Sequence, residues 1–426
     1  MPRSLLPALA LLLLPSFALF SCGDDPPDAS PAAAGAGGAG GSGGTQASEP
    51  PFCGKEGISK GPWVVSVDGT SAVVRWETCA EAPTRLTYGP EGAPREGQAE
   101  GTSSSHEILT ETKSILASRG ADLAGVWWLH EVKIQNLTPS TCYGYEAAGE
   151  GPGRFCTARN SGEPVRFAFI ADTNPGLNDK AAASLVARIE AFKPDLTLHG
   201  GDMQYYTSAL EPYPWWFEAM APQLRAGPMW PAVGNHEMEK PDEFGDYYAR
   251  FWGGIGLDNQ DHVYRFENGG IHFFSLNSEA DLKPGSPQFS WVSEQLPKAA
   301  QQPGFRFSVV FLHRPLVTCG DTGDLVTERE ALLPLFKQHG VRLVLMGHMH
   351  GYERFDLDGI PFVVAGGGGS RPGDVEVNLQ RPLCAQRKAS GVFPHVLYVT
   401  VDGDKLSGSV IDDQQQERDA FSITIP

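Results

Sequence analysis

The sequence predicts an α/β sandwich preceded by a small all-β sandwich domain. Three observations predict it. From about Ile58 to Thr157, short alternating apolar runs are separated by Gly and Pro clusters, the pattern of a small antiparallel sandwich. From Val165 onward, apolar strand-length runs alternate with segments of helical period. Five polar clusters then follow apolar runs directly, at the carboxyl ends of expected strands, where α/β sheets place their ligand sites.

The chain has 426 residues, enough for two domains of ~100–200 residues each. Residues 1–22 read as a lipoprotein-type signal peptide. Arg3 precedes an apolar stretch from Leu5 to Phe20, which Pro7 and Pro15 break and which is too short to span a bilayer. Leu19, Phe20, Ser21 and Cys22 resemble a bacterial lipoprotein box, so Cys22 is the expected lipidation site. Residues 23–51 are Gly, Ala, Ser, Pro and Asp with almost no large apolar side chain, and are expected to form a disordered linker. Residues 52–160 form the expected β-sandwich. Its stretch from Leu137 to Tyr145 resembles the tyrosine corner of fibronectin type III-like domains, with Trp76 as core aromatic.

After a linker at Asn160 to Pro164, residues 161–426 form the second domain. Expected strands are Val165 to Ala171, Asp195 to Gly200, Met229 to Val233, Ile271 to Leu276, Phe305 to Leu312 and Arg342 to Met346. Helical patterns fall between them at Asp179 to Phe192, Trp215 to Leu224, Pro287 to Leu296 and Thr327 to His339. Alternating segments near Phe362, from His395 to Val401 and from Leu406 to Ile411 complete the sheets.

Of seven cysteines, setting Cys22 aside leaves an even six, as expected for disulfides in an oxidising compartment. Cys319 and Cys384 are the two in the later domain and pair with each other. Among Cys53, Cys79, Cys142 and Cys156, three connectivities are open. A turn at Gly149 to Gly151 favours Cys142 with Cys156, which leaves Cys53 with Cys79. The formal charge of −18 repels nucleic-acid phosphates, and no nucleic-acid partner is expected.

The five clusters are Asp172; Gly201, Asp202, Met203, Gln204 and Tyr205; Gly234, Asn235, His236 and Glu237; His313; and Gly347, His348, Met349 and His350. They supply carboxylates, imidazoles, an amide oxygen and a phenol. In this order they resemble the purple acid phosphatases within the calcineurin-like metallophosphoesterases, whose blocks run D, GDxxY, GNHE, a lone H and GHxH. Gly347 to Arg354, GHMHGYER, looks like that family's extended last block, and the resemblance covers roughly residues 58 to 425.

The resemblance implies an α/β metallophosphoesterase sandwich, two mixed β-sheets flanked by helices, with two metal ions. Asp172, Tyr205 and His350 would bind the first, Asn235, His313 and His348 the second, and Asp202 would bridge both. Hard carboxylate and phenolate ligands suit Fe(III) at the Tyr205 site, and imidazoles with an amide suit Fe(II), Zn(II) or Mn(II) at the second. His236 and Asp202 are the expected catalytic residues, with Asn235, His236 and Arg314 on the substrate phosphate, and for Arg314 a structural role is an equal alternative. The family pattern differs at Asn174, where Gly or His is usual, and after His313, where no further histidine precedes Cys319. Gly366 to Gly369 reads as a tight turn packed near the metals rather than a phosphate cradle. For Tyr205, Tyr206, Tyr213, Trp215 and Trp216 a place at the cleft mouth is one reading, but core packing explains most of the group, and histidines 106, 130, 262, 272, 339 and 395 are not expected as ligands.

The implied function is hydrolysis of small phosphate monoesters by in-line attack of a metal-bound hydroxide, as in an acid phosphatase. The protein is expected to be exported, and either secreted or lipid-anchored through Cys22 to a bacterial membrane, in the periplasm or at the cell surface. A second reading keeps the metal centre in a phosphodiesterase or nucleotidase. A third makes the chain a non-catalytic surface binding protein, against which the intact ligand set argues.

Overall fold

The computed structural model describes residues 57–108, 125–149, 151–175, 179–205, 212–238, 247–254 and 262–425. The expected signal peptide, linker, Cys22 and Cys53 lie outside them. Among the described residues, no helix is long and apolar enough to cross a membrane.

Among the described residues eight strands come first: β1 (Ile58–Val67), β2 (Ala72–Thr78), β3 (Arg85–Pro90), β4 (Gly97–Glu100), β5 (Thr102–Ile108), β6 (Gly125–Ile134), β7 (Cys142–Ala147) and β8 (Gly153–Cys156). They form two antiparallel sheets, ordered β1-β2-β6-β5 and β4-β3-β7-β8. One core joins Val64, Val74, Trp76 and Val132 of the first sheet to Leu86, Tyr143, Tyr145 and Phe155 of the second. The tyrosine corner forms at Tyr143, whose hydroxyl accepts the Thr138 N–H at 3.0 Å. Cys142 and Cys156 stand opposite each other on β7 and β8 and are bonded, as are Cys319 and Cys384. Cys79 is also disulfide-bonded; Cys53, its expected partner, is outside the described residues.

The remaining strands are β9 (Val165–Ile170), β10 (Leu196–His199), β11 (Met229–Pro231), β12 (Tyr264–Asn268), β13 (Ile271–Ser275), β14 (Phe307–Leu312), β15 (Val341–Met346), β16 (Tyr352–Leu357), β17 (Ile360–Ala365), β18 (Arg387–Gly391), β19 (His395–Asp402), β20 (Lys405–Asp412) and β21 (Glu417–Thr424). One sheet runs β11-β10-β9-β19-β20-β21, with β9, β10 and β11 parallel. The other runs β12-β13-β14-β15-β17-β16-β18, with β13, β14, β15 and β17 parallel.

Period-two alternation gives each sheet two apolar faces. Phe167 and Phe169 of β9 meet Phe307, Val309 and Phe311 of β14 in the core between the sheets. The intervening residues face helices. Ala168 and Ile170 pack on helix α1 (Asp179–Phe192) through Leu185 and Ile189. Helix α2 (Pro212–Ala226) and helix α3 (Tyr247–Trp252) join a separate aromatic cluster. Val310, Leu312 and Val344 pack on helices α4 (Pro287–Ala300) and α5 (Val326–Gln338) through Val292, Leu296, Leu332 and Phe336. Strands β12, β16, β18 and β21 and helix α3 escape the sequence reading. In β16 the reason is clear: Glu353 and Arg354 break the apolar pattern, and their charges are met by Arg387 and Asp419, distant in sequence.

The N-terminal sheet holds α2 and α3 against the rest. Trp63, Val65, Trp127 and Leu129 pack with Trp216, Phe217, Phe251 and Trp252. Arg75 donates to the carbonyls of Phe251 at 2.8 Å and Gly253 at 2.7 Å, satisfying acceptors that the end of α3 leaves free. Beside it, the buried Lys60 and Arg250 share the buried carboxylate of Glu77. Glu77→Ala strands Lys60 without its counter-charge, and chemical denaturation is expected to show a loss of about 3–5 kcal/mol. A loss of only ~0.5 kcal/mol, typical of a surface substitution, would contradict the buried pair.

Candidate metal centre

The five clusters converge where the parallel strands of both sheets end. Backbone bonds tie the ends together: Asp172 donates to Gly201, Gly347 to His313, Gly368 to Ala171 and Ser370 to Asp172, at 2.9–3.1 Å. The Gly366 to Gly369 turn thus packs against the Asp172 loop, as expected. A side chain at Gly347 or Gly366 would collide with the Asp172 carboxylate.

Asp172, Asp202 and His348 all adopt left-handed backbone, with φ of 59°, 52° and 67°. Such residues cost roughly 1–3 kcal/mol each and persist only where surroundings hold them. Here the holding bonds are visible. The His348 N–H donates to Asp172 Oδ2 at 2.8 Å, and the Asp202 N–H donates to Glu237 Oε2 at 2.8 Å. Glu237 is buried and also accepts from Met203 at 2.9 Å and Gly234 at 2.7 Å. Its carboxylate therefore joins the turn carrying Asp202 to the loop carrying Asn235 and His236.

The side chains fall into two groups. In one, Tyr205 Oη contacts His350 Nε2, which lies 3.4 Å from Asp172 Oδ1. That carboxylate oxygen is buried and has no hydrogen-bond partner. In the other, His313 Nε2 lies 3.1 Å from Asn235 Oδ1, 3.2 Å from His348 Nδ1 and 3.2 Å from Asp202 Oδ2. Ligand atoms of Asp202, His313 and His348 all lie within 4.8 Å of one another. The His236 N–H donates to Asp202 Oδ1 at 3.0 Å, and its ring lies 4.0 Å from that of Tyr205. An orphaned carboxylate oxygen and converging O and N donors fit two cations.

The titrations reflect this crowding. Burial opposes the Asp202 charge, yet His313 and His236 hold its carboxyl well below the usual range. Burial likewise disfavours charge on His313, but Asp202 outweighs it and lifts the imidazole to about 10. Burial, then the charges of His313 and Arg314, push His348 down. Burial and the nearby Asp202 raise Glu237 to about 7.

Other residues have structural partners. Asn174 accepts from Gln204 Nε2 at 2.9 Å. Trp216 donates to Thr173 Oγ1 at 2.9 Å, which donates to the Met203 carbonyl at 2.6 Å. Tyr213 and Trp216 are core residues; Tyr206 and the Trp215 side chain lie outside the described residues. The GHMHGYER block divides in role: Tyr352 and Arg354 bind Asp419, while Glu353 accepts from Thr318 and Cys319. Arg314 is bonded to Glu279 at 2.9 Å, and its Nη1 lies 3.1 Å from His348 Nε2. The sequence reading assigns no role to Glu237 or Glu279, because their partners are backbone groups and a distant arginine.

Residues 165–352 match the calcineurin-like phosphoesterase family. Purple acid phosphatase 22 of Arabidopsis thaliana is 28% identical over 297 residues, covering 65% of this chain and 67% of the relative. An uncharacterized protein of Mycobacterium tuberculosis is 28% identical over 287 residues, covering 58% of this chain and 54% of its own length. The solved purple acid phosphatase from yellow lupin (Lupinus luteus) seeds superposes with a TM-score of 0.71 at 17% identity, covering 85% of this chain and 74% of that one.

Glu237→Ala removes the acceptor that fixes the Asp202 turn. The variant's cation affinity is expected to fall on the order of 10–100-fold, measured as metal retained after dialysis. Retention equal to wild type would show that the turn holds without Glu237.

Proposed function

Taking the chain as a metallophosphoesterase with purple acid phosphatase homologues, its calcineurin-like phosphoesterase domain spanning residues 165–352, we propose that it hydrolyses phosphate monoesters in the manner of an acid phosphatase. The convergence of Asp202, His313 and His348 carries this reading. In it, Asp172, Tyr205 and His350 would hold one cation, Asn235, His313 and His348 would hold the other, and Asp202 would serve both. The hard oxygens around Tyr205 favour Fe(III), and the second set favours Fe(II), Zn(II) or Mn(II). When bound, the pair supplies Lewis acidity at the phosphoryl group and an activated water for in-line displacement.

The chain's own residues do the rest. Asp202, His313 and the Asp172 loop are sealed from water, so the donor geometry is set before substrate arrives. Half-buried Asn235 and His348 face the open side, where Asn235 and Arg314 orient the phosphate. His236, fixed by its backbone bond to Asp202 and its packing on Tyr205, gives a proton to the leaving oxygen. The disulfides accord with export to an oxidising compartment. Anchorage through a lipid on Cys22 completes the proposal.

Metal-replete protein is expected to cleave a chromogenic phosphomonoester faster than the matching diester, with activity lost on chelation and restored by metal. Preference for the diester would move the function to the phosphodiesterase reading. Tyr205→Phe is expected to abolish visible charge-transfer absorbance of the iron-loaded protein; retained colour would remove Tyr205 from the iron site.

A further inference from the structure

We propose that Glu279 is a positioning residue that aims Arg314 at the substrate phosphate. The inference rests on the monoesterase reading above. Three neighbouring parallel strands bring the parts together: Glu279 follows β13, Arg314 follows β14 and His348 follows β15. The Glu279 carboxylate takes Arg314 Nε and Nη2, each at 2.9 Å, and Nη1 donates to His348 Nε2 at 3.1 Å, which leaves the second N–H of Nη1 on the edge beside His348. The guanidinium fork has further N–H donors on that edge, suited to phosphoryl oxygens.

The support behind Glu279 is built and buried. Gln288, fully buried, brackets Asn277 by accepting its N–H at 2.7 Å and donating to its carbonyl at 2.8 Å. Asn277 Oδ1 accepts the Glu279 N–H at 2.9 Å, and Ser278 Oγ accepts the Arg314 N–H at 2.8 Å. The Glu279 side chain is 11% exposed and that of Arg314 35%. An ion pair open on its arginine side adds little to stability. Its geometry instead sets the direction of a cation beside a residue of the proposed metal set, in a chain with no histidine between His313 and Cys319.

The test uses the full metal-loaded chain, with KM and kcat for a chromogenic phosphomonoester, calorimetric binding of inorganic phosphate, and metal content. Glu279→Ala and Arg314→Ala are each expected to weaken phosphate binding on the order of tenfold, with metal content unchanged. In the double variant, Glu279→Ala is expected to add nothing to Arg314→Ala. Glu279→Gln, of the same shape, covers the case in which Glu279→Ala fails to fold, and is expected to fall between Glu279→Ala and wild type. Unchanged phosphate affinity in Glu279→Gln and Glu279→Ala, or equal losses with and without Arg314, would overturn the proposal. Wild-type protein that binds phosphate through this pair but turns over no monoester would remove the monoesterase reading and leave the pair standing.

Discussion

The Glu237 carboxylate is the contact on which the centre depends. It is sealed from water and accepts the backbone N–H groups of Asp202, Met203 and Gly234. Those bonds hold Asp202 in left-handed backbone, a conformation that a free turn would leave. They also fix the distance between the loop after β10 and the loop after β11. Asp202 and Asn235 are therefore presented to the same space as His313. Loss of this acceptor would leave buried N–H groups unmatched as well as freeing the turn.

A second line of contacts reaches the centre from the N-terminal sandwich. Trp63 packs on Phe217 with ring centroids 4.7 Å apart, and the adjacent Trp216 donates to Thr173. Thr173 in turn donates to Met203, next to Asp202. The aromatic cluster thus backs the two carboxylate loops with close-packed rings, which deform little. The sandwich supplies support to the site rather than chemistry.

A net charge of −18 disfavours an anionic ester at long range, so attraction must come from local groups. On the proposed reading Arg314, bonded beside His348, would be one such group, and bound cations the larger one.

Much of the site was legible because its donors follow strands whose apolar runs are local patterns. Asp172, Asp202, Tyr205, Asn235, His313, His348 and His350 all stand just beyond such runs, and their order was enough to group them. The core alternation of β9 and β14 and the pairing of Cys142 with Cys156 were legible for the same reason. Glu353 and Arg354 were not readable as strand residues, since the partners that meet their charges, Arg387, Thr318 and Asp419, are distant in sequence. By itself, then, the sequence determined which donor types the chain carries and at which strand ends. The tertiary structure decided the left-handed turns at Asp172, Asp202 and His348, the tie through Glu237 and the pairing of Arg314 with Glu279. Each of these depends on a bond between residues far apart in the chain, and local periodicity carries no record of such bonds.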